Sequence, residues 1–335
     1  MRKYLLPREG VYYKANLHCH TTVSDGRMTP EETKNLFKSK GYSVVAFTDH
    51  DVMVPHQELA DEEFLPLNGY EMEFTETTDK ESRFKKSCHI CLIATEPENL
   101  TQVCFHRSKY LSAGNAFDYI DKIQYDKNEP DFEREHTHEN INKVIKIARQ
   151  SGFFVTFNHP TWSLESYADY MGYNFMHAME IYNNECVQMG YCDYNEKEYD
   201  DMLRGGKRIY CISADDCHKA ASCGGGFTMI KADKLEYRAI TNALVSGDFY
   251  ASHGPLIYDL WFEDGKIHID CSDAVSITLH TSSRRAKMIK AKEGEHINAA
   301  DFDVLLNDDY VRITVTDSNG NHANTNAYFT DELFR

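Results

Sequence analysis

Between residues 14 and 250, short apolar runs alternate with longer stretches whose apolar positions recur every three or four residues. That alternation predicts an α/β fold. Runs at 16–19, 43–48, 65–67, 71–74, 89–94, 153–157, 178–182, 209–213 and 227–231 read as strands. Thr29-Pro30-Glu31-Glu32 opens the first helix. Thr29 suits the N-cap, Pro30 the first turn, and Glu32 completes a capping box. Gly41 marks the end of that helix. Residues 139–150 carry Ile141, Val144, Ile145 and Ala148 at helical spacing, and 196–204 and 235–246 predict further helices.

Two stretches depart from this rhythm. Residues 97–137 are polar and mixed-charge with no clear strand. An insertion of that length is either a lid over a site or a solvated helical excursion, and both readings fit equally. From Pro255 onward the period becomes two. Residues 259–262 and 266–270 flank an Asp264-Gly265 turn, 310–315 alternate cleanly, and Ser318-Asn319-Gly320 signals another turn. The chain thus divides into an α/β part at 1–254 and a small, sandwich-like all-β domain at 255–335.

Charge narrows the function. Among 335 residues, 36 Lys and Arg face 53 Asp and Glu, a net charge of −17. Such a surface repels polyphosphate backbones and anionic membranes, so neither a long nucleic acid nor a membrane is an expected partner. The opening MRKYLLPREG has no apolar run typical of a secretory signal, which predicts a cytoplasmic protein. Ten scattered cysteines then read as reduced thiols, including the lone C-x-x-C at Cys88 and Cys91, which has no second pair to complete a zinc site.

Histidine is the telling residue, at 16 copies. Six stand in short motifs in or just after predicted strands: His18 and His20 in NLHCH, His50 in FTDHD, His89 in CHICLIA, His159 in FNHP and His218 in SADDCH. Asp25, Glu71 and Asp216 accompany them. On a strand, residues i and i+2 share a face, so the H-x-H imidazoles converge on one ion, and Asp216 and His218 do the same from another strand. Strand ends of an α/β sheet collect at one rim, where such residues can meet. Imidazole mixed with carboxylate suits Zn, Fe or Mn. Each motif alone is weak; their repetition over 200 residues is not.

In the order NLHCHTTVSDG, GYSVVAFTDHD, NGYEMEF, CHICLIA, FNHP and SADDCH, these motifs resemble the PHP (polymerase and histidinol phosphatase) superfamily, over roughly residues 12–254. GDFYASHGP and the tail ending in NHANTNAYF resemble its carbaryl-hydrolase-like branch. The resemblance implies a distorted seven-stranded (β/α) barrel holding two or three divalent metals. A first metal would take His18, His20, Glu71 and Asp216. Glu71 would bridge to a second, held by His89 and His159. A third would take Asp25, His50 and His218, with Asp25 standing where some relatives place a histidine.

Three divalent ions less three carboxylates and one hydroxide leave about two positive charges, a field suited to a phosphate dianion. The expected activity is therefore hydrolysis of a small phosphate ester, with a metal-bridging hydroxide as nucleophile and phosphate as product or inhibitor. Hydrolysis of another ester, an amide or a carbamate is the alternative, and a non-catalytic metal-binding module the third. Arg107, Lys109, Arg134 and Lys219 are candidate phosphate contacts by placement, although exposed charges are most often structurally silent. His253 and Asn183 are candidates for the rim. His136, His138, His280 and His322 read as surface groups, and Gly224-Gly225-Gly226 as a turn without the lysine of a phosphate-binding loop.

Overall fold

A computed structural model describes residues 2–335. Seven strands follow one another in the sheet in chain order: β1 (Val11–Asn16), β2 (Val44–Phe47), β3 (Leu65–Thr75), β4 (Ser87–Ala94), β5 (Phe153–Asn158), β6 (Ala178–Asn183) and β7 (Tyr210–Ala214). Strands β1, β2 and β3 pair in parallel, as do β5, β6 and β7, whereas β4 runs antiparallel to both β3 and β5. Six strands therefore end at one rim, and β4 begins there. The runs at 65–67 and 71–74 form the single strand β3. Gly69 lies between them because a Cβ there would stand 2.9 Å from the Leu92 carbonyl on β4.

The seven strands do not close into the expected barrel. Strand β8 (Phe227–Ala232) pairs antiparallel with β1 and occupies its second edge. No ladder joins β7 to β1 among the described residues. The two approach only beyond their ends, in an isolated bridge between Cys19 and Cys217, and the Thr228 hydroxyl contacts the Ser213 backbone of β7. The sheet runs on instead through β9 (Phe249–Ser252) into the C-terminal strands.

Those strands are β10 (Ile257–Glu263), β11 (Lys266–Ala274), β12 (Ser276–Thr281), β13 (Lys287–Lys290), β14 (Ile297–Asp303), β15 (Tyr310–Thr316) and β16 (His322–Thr325). Strand β16 pairs with β9, which makes the ladder continuous across residue 254, while β10, β11 and β14 form a second sheet. The β10–β11 hairpin turns at Asp264 and Gly265, both at positive φ (49° and 75°), as an Asp-Gly turn requires. Ile267, Ile269, Ile277, Phe302, Ile313 and Val315 build a separate core, joined by Leu6 and Tyr250 from the first part.

Helices α1 (Pro30–Ser39), α2 (His138–Gln150), α3 (Asn184–Gln188), α4 (Glu196–Arg204) and α5 (Tyr237–Ser246) cover the first sheet. The capping box forms: the Glu32 amide donates to Thr29 Oγ1 at 3.2 Å, and Glu32 Oε2 accepts from the Thr29 amide at 2.8 Å. Helix α2 buries Ile141, Val144, Ile145 and Ala148, the larger three contributing roughly 2 kcal/mol each. No described helix is long and apolar enough to cross a membrane.

Residues 97–137 pack against the first part. They contain a 3₁₀ helix at Ala116–Lys122, and Leu111, Ala116 and Ile123 form a small core with Val23 and Val52. Asn115 docks this segment, its amide donating to the Ser24 carbonyl (2.8 Å) and its side chain to that of Thr22 (3.0 Å).

Candidate metal centre

The rim where six strands end and β4 begins gathers the histidines. His18 and His20 lie just past β1 rather than on it, flanking the bridged Cys19. The chain is still extended there, so both rings turn the same way, with their Nε2 atoms 3.1 Å apart. His50 follows β2, His159 follows β5, and Asp216 and His218 follow β7. Glu71 lies within β3. His89 reaches the same rim only because β4 is antiparallel and starts there. His159 and Asp216 hold positive φ (26° and 52°), backbone states that suit a residue aimed by a tight bend.

Glu71 is the hub. Its Oε1 is 3.2 Å from His18 Nε2 and 3.3 Å from both His89 Nδ1 and His159 Nε2, while its Oε2 is 3.2 Å from His50 Nδ1. Asp216 Oδ1 lies 3.1 Å from His20 Nε2 and 3.3 Å from His18 Nε2. Four sets have ligand atoms close enough for one ion each: His20, Asp25, His50 and His218; His18, His159 and Asp216; His50, Glu71 and His89; and His18, Glu71 and Cys91, a cysteine not expected among the ligands. His20 thus also groups with Asp25, and His159 with Asp216, a partition that differs from the one the resemblance implied.

The residues fit cations. His18, His20, Glu71, His89, His159 and Asp216 are buried, whereas His50, His218 and Asp25 are partly open. His20 Nδ1 and His89 Nε2 are buried without a hydrogen-bond partner, and His89 Nδ1 and Asp216 Oδ1, though 3.3 and 3.1 Å from Glu71 and His20, make no aligned hydrogen bond, a costly state for a protein that binds nothing there. Burial alone would push the Glu71 and Asp216 carboxyls up, but the surrounding imidazoles hold both well below their usual range. Burial likewise opposes charge on His159, yet Glu71 and Asp216 lift it to about 9. The carboxylates create a demand for positive charge at this spot.

A cavity of about 420 Å³ opens on the cluster. Asp25, His50, Glu71, His89, His159, Asp216 and His218 line it, with Trp162, Met189 and Cys186 on one side and Tyr110, Ser112 and Ala113 of the 97–137 segment on another. Trp162 packs edge-on against His89 and His159, at 5.5 and 5.1 Å between ring centres.

The other candidates lie elsewhere. Arg107 and Lys109 are held on the surface by Asp131 and Glu133, each 2.7 Å away. Arg134 stands behind the wall, paired with Asp51 and stacked over Tyr110. Lys219 is taken by Glu185 at 3.1 Å. His253 does not line the cavity, because its ring stacks on Tyr182 (4.2 Å) and its Nε2 accepts from the His322 amide. Asn183 is fully buried behind the ligands and donates to Glu180 and Asp216. Of the histidines expected at the surface, only His138 is exposed. His136 pairs with Glu165, His280 with Glu196, and His322 stacks on Tyr194. Cys217 and Cys223 are joined as a disulfide around His218, their Cα atoms 5.4 Å apart, which corrects the expectation of ten reduced thiols; the other eight are free.

Three supporting residues were not singled out from the sequence, although Asp49 and Asn158 stand inside the FTDHD and FNHP motifs. Glu180 contacts His18, Asn158 donates to Glu71 Oε1 (2.8 Å), and Asp49 accepts four hydrogen bonds from Thr21 and Ser24. Glu180, alone in the middle of β6, carries no pattern; Asp49 and Asn158 were hinted at only by standing next to His50 and His159.

Residues 16–170 match the PHP domain. No curated protein matches the chain. Among solved structures, a two-domain protein from Bacteroides vulgatus containing a predicted PHP-like metal-dependent phosphoesterase is similar at 14% identity and a TM-score of 0.45, covering 94% of each chain. An amidohydrolase from Chromobacterium violaceum is similar at 15% and 0.42, covering 61% of this chain and 87% of its own. A lesion-specific endonuclease from Pyrococcus furiosus is similar at 15% and 0.40, covering 70% and 56%. Likenesses this distant do not bear on the reaction. The segment that matches the PHP domain, a little under half of the chain, holds His18, His20, Asp25, His50, Glu71, His89 and His159.

Proposed function

We propose that this protein is a metal-dependent hydrolase of small phosphate esters, holding two or three divalent ions (Zn, Mn or Fe) with His18, His20, Asp25, His50, Glu71, His89, His159, Asp216 and His218. The observation that carries this reading is the set of buried imidazole and carboxylate atoms left without an aligned hydrogen bond beside a cavity. Bound divalent ions supply Lewis acidity and a water that loses its proton near neutral pH. The protein's own part is to hold Glu71 between the histidine groups and to shield the reacting centre with Trp162, Met189 and Tyr110. The cavity volume and the charge of −17 favour a small substrate over a long nucleic acid. In this reading residues 1–254 carry the chemistry, with the segment 97–137 as a fixed wall of the site, and residues 255–335 form a β domain packed on it.

One observation favours a second reading. No Lys or Arg is among the residues that line the cavity, since Arg134 and Lys219 are committed to Asp51 and Glu185. A phosphate dianion would rely on the metals for its charge, whereas an uncharged ester, amide or carbamate would need no such clamp. Purified protein stripped with a chelator and reloaded with Mn or Zn separates the two on a panel of phosphate esters, amides and carbamates. Phosphate-ester turnover that disappears on stripping and returns on reloading is the expected result. Metal-dependent turnover of amides or carbamates alone would overturn it.

A further inference from the structure

Glu180 sits in the middle of β6, fully buried, on no recognisable motif. Its Oε1 is 2.7 Å from His18 Nδ1. A carboxylate only accepts, so Nδ1 carries the proton and Nε2, facing Glu71 and Asp216, is left free to bind an ion. Oε2 accepts from the His159 amide and from Asn183 Nδ2, both at 2.9 Å. Asn183 Nδ2 also lies 3.2 Å from Asp216 Oδ2, and its Oδ1 accepts from the Cys186 amide at the start of α3. One side chain thus reaches His18 directly, His159 through its backbone and Asp216 through Asn183. These three form one of the sets able to hold an ion.

We infer that Glu180 is the positioning residue of the His18–His159–Asp216 ion site: it sets the His18 tautomer and locks the spacing of all three ligands. This deepens the metal reading above and rests on it. It also places a fourth carboxylate beside the centre. The roughly two positive charges left by three ions and a hydroxide become about one. A carboxylate behind a metal-binding imidazole raises its basicity and fixes its orientation, and losing such a partner weakens binding by about 10- to 100-fold.

Glu180→Gln is the informative change because it keeps the shape. Its amide oxygen can serve only one side. The side facing His159 and Asn183 presents two donors, so the oxygen belongs there and the amide nitrogen turns to His18 Nδ1. His18 must then accept at Nδ1 and carry its proton on Nε2, the nitrogen the ion needs. The full-length protein, ¹⁵N-labelled at histidine and loaded with ¹¹³Cd(II), reports this directly. Wild type is expected to show ¹¹³Cd–¹⁵N coupling at His18 Nε2 with a proton on Nδ1. Glu180→Gln is expected to lose that coupling and to bind one equivalent of Cd(II) about 10- to 100-fold more weakly, with an unchanged circular dichroism spectrum. Equal affinity and retained Nε2 coupling in the variant would overturn the role of Glu180 and leave the metal reading standing. Coupling through Nδ1 in wild type would do the same without any variant, should Glu180→Gln misfold. Wild type that takes up no Cd(II) would remove the metal reading, and this role with it.

Discussion

At the scale of single residues, environment rather than identity decides what a histidine does here. His18 is buried and His177 half-buried, yet against the pull of burial carboxylates raise the first well above its ordinary value, while burial and nearby Arg149 lower the second to about 4. His177 stacks on Phe154, and its Nδ1 accepts from the Val155 amide at 3.0 Å. Its folded pKa lies below the unfolded value near 6.5, so the unfolded chain binds the extra proton first. Its contribution to stability is therefore whole above pH 6.5 and declines as pH falls towards 4, by at most about 3 kcal/mol. His177→Asn keeps an acceptor in nearly the same place. Denaturant unfolding of the variant should show a shallower loss of stability between pH 6.5 and 4 than wild type; parallel curves would contradict this. The six rim histidines were legible because each stands in a short motif in or just after a predicted strand, although only the H-x-H and D-x-H spacings were informative by themselves. The roles of Glu180 and of Asn158, the latter inside FNHP, were not legible, since they depend on strands that are adjacent only in the sheet.

At the scale of elements, the clearest signals were local ones. The Thr29 capping box, the α2 stripe and the Asp264-Gly265 turn each rest on interactions within a few residues, and each forms. The segment 97–137 offered no period to read, because its order comes from docking rather than from its own pattern. Gly114 shows how close that docking is. It holds a φ of +51°, and a Cβ there would stand 2.0 Å from the Ser24 carbonyl, next to the proposed ligand Asp25. Gly114→Ala should shift this wall outward and loosen the turn that carries Asp25. We expect a KM increase of at least about threefold with a smaller change in kcat, and faster proteolysis within 97–137, since both a left-handed backbone and a direct overlap must be relieved. Unchanged KM and protease resistance would contradict the docking argument.

At the scale of the whole molecule, the two cores are joined by polar as well as backbone links. Arg312 on β15 is fully buried. Its Nε donates to Asp200 of α4 at 2.7 Å, and its Nη2 donates to Glu196 at 3.0 Å. Removing the arginine leaves the buried Asp200 carboxylate opposed only by the more exposed Arg204, 3.3 Å away. Arg312→Ala should lose about 3–5 kcal/mol in equilibrium unfolding, whereas the double variant Arg312→Met with Asp200→Leu should lose much less. If the two are equally destabilised, the junction depends on packing and not on the ion pair.

The amino-acid sequence by itself determined the alternation of strand and helix, the change of texture after residue 254, the hairpin turn and the nine residues that gather at the rim. All of these are written in short-range period, turn chemistry or motif spacing. Tertiary structure decided what sequence distance conceals. It placed β8 on the edge where a closed barrel would have required β7, and it started β4 at the rim so that His89 could face Glu71. It committed Arg134 and Lys219 to acidic partners and brought Glu180 behind His18. The physical reason is common to all four. A hydrogen-bond ladder or a buried ion pair is selected by which elements become neighbours on folding, and that choice belongs to the chain as a whole.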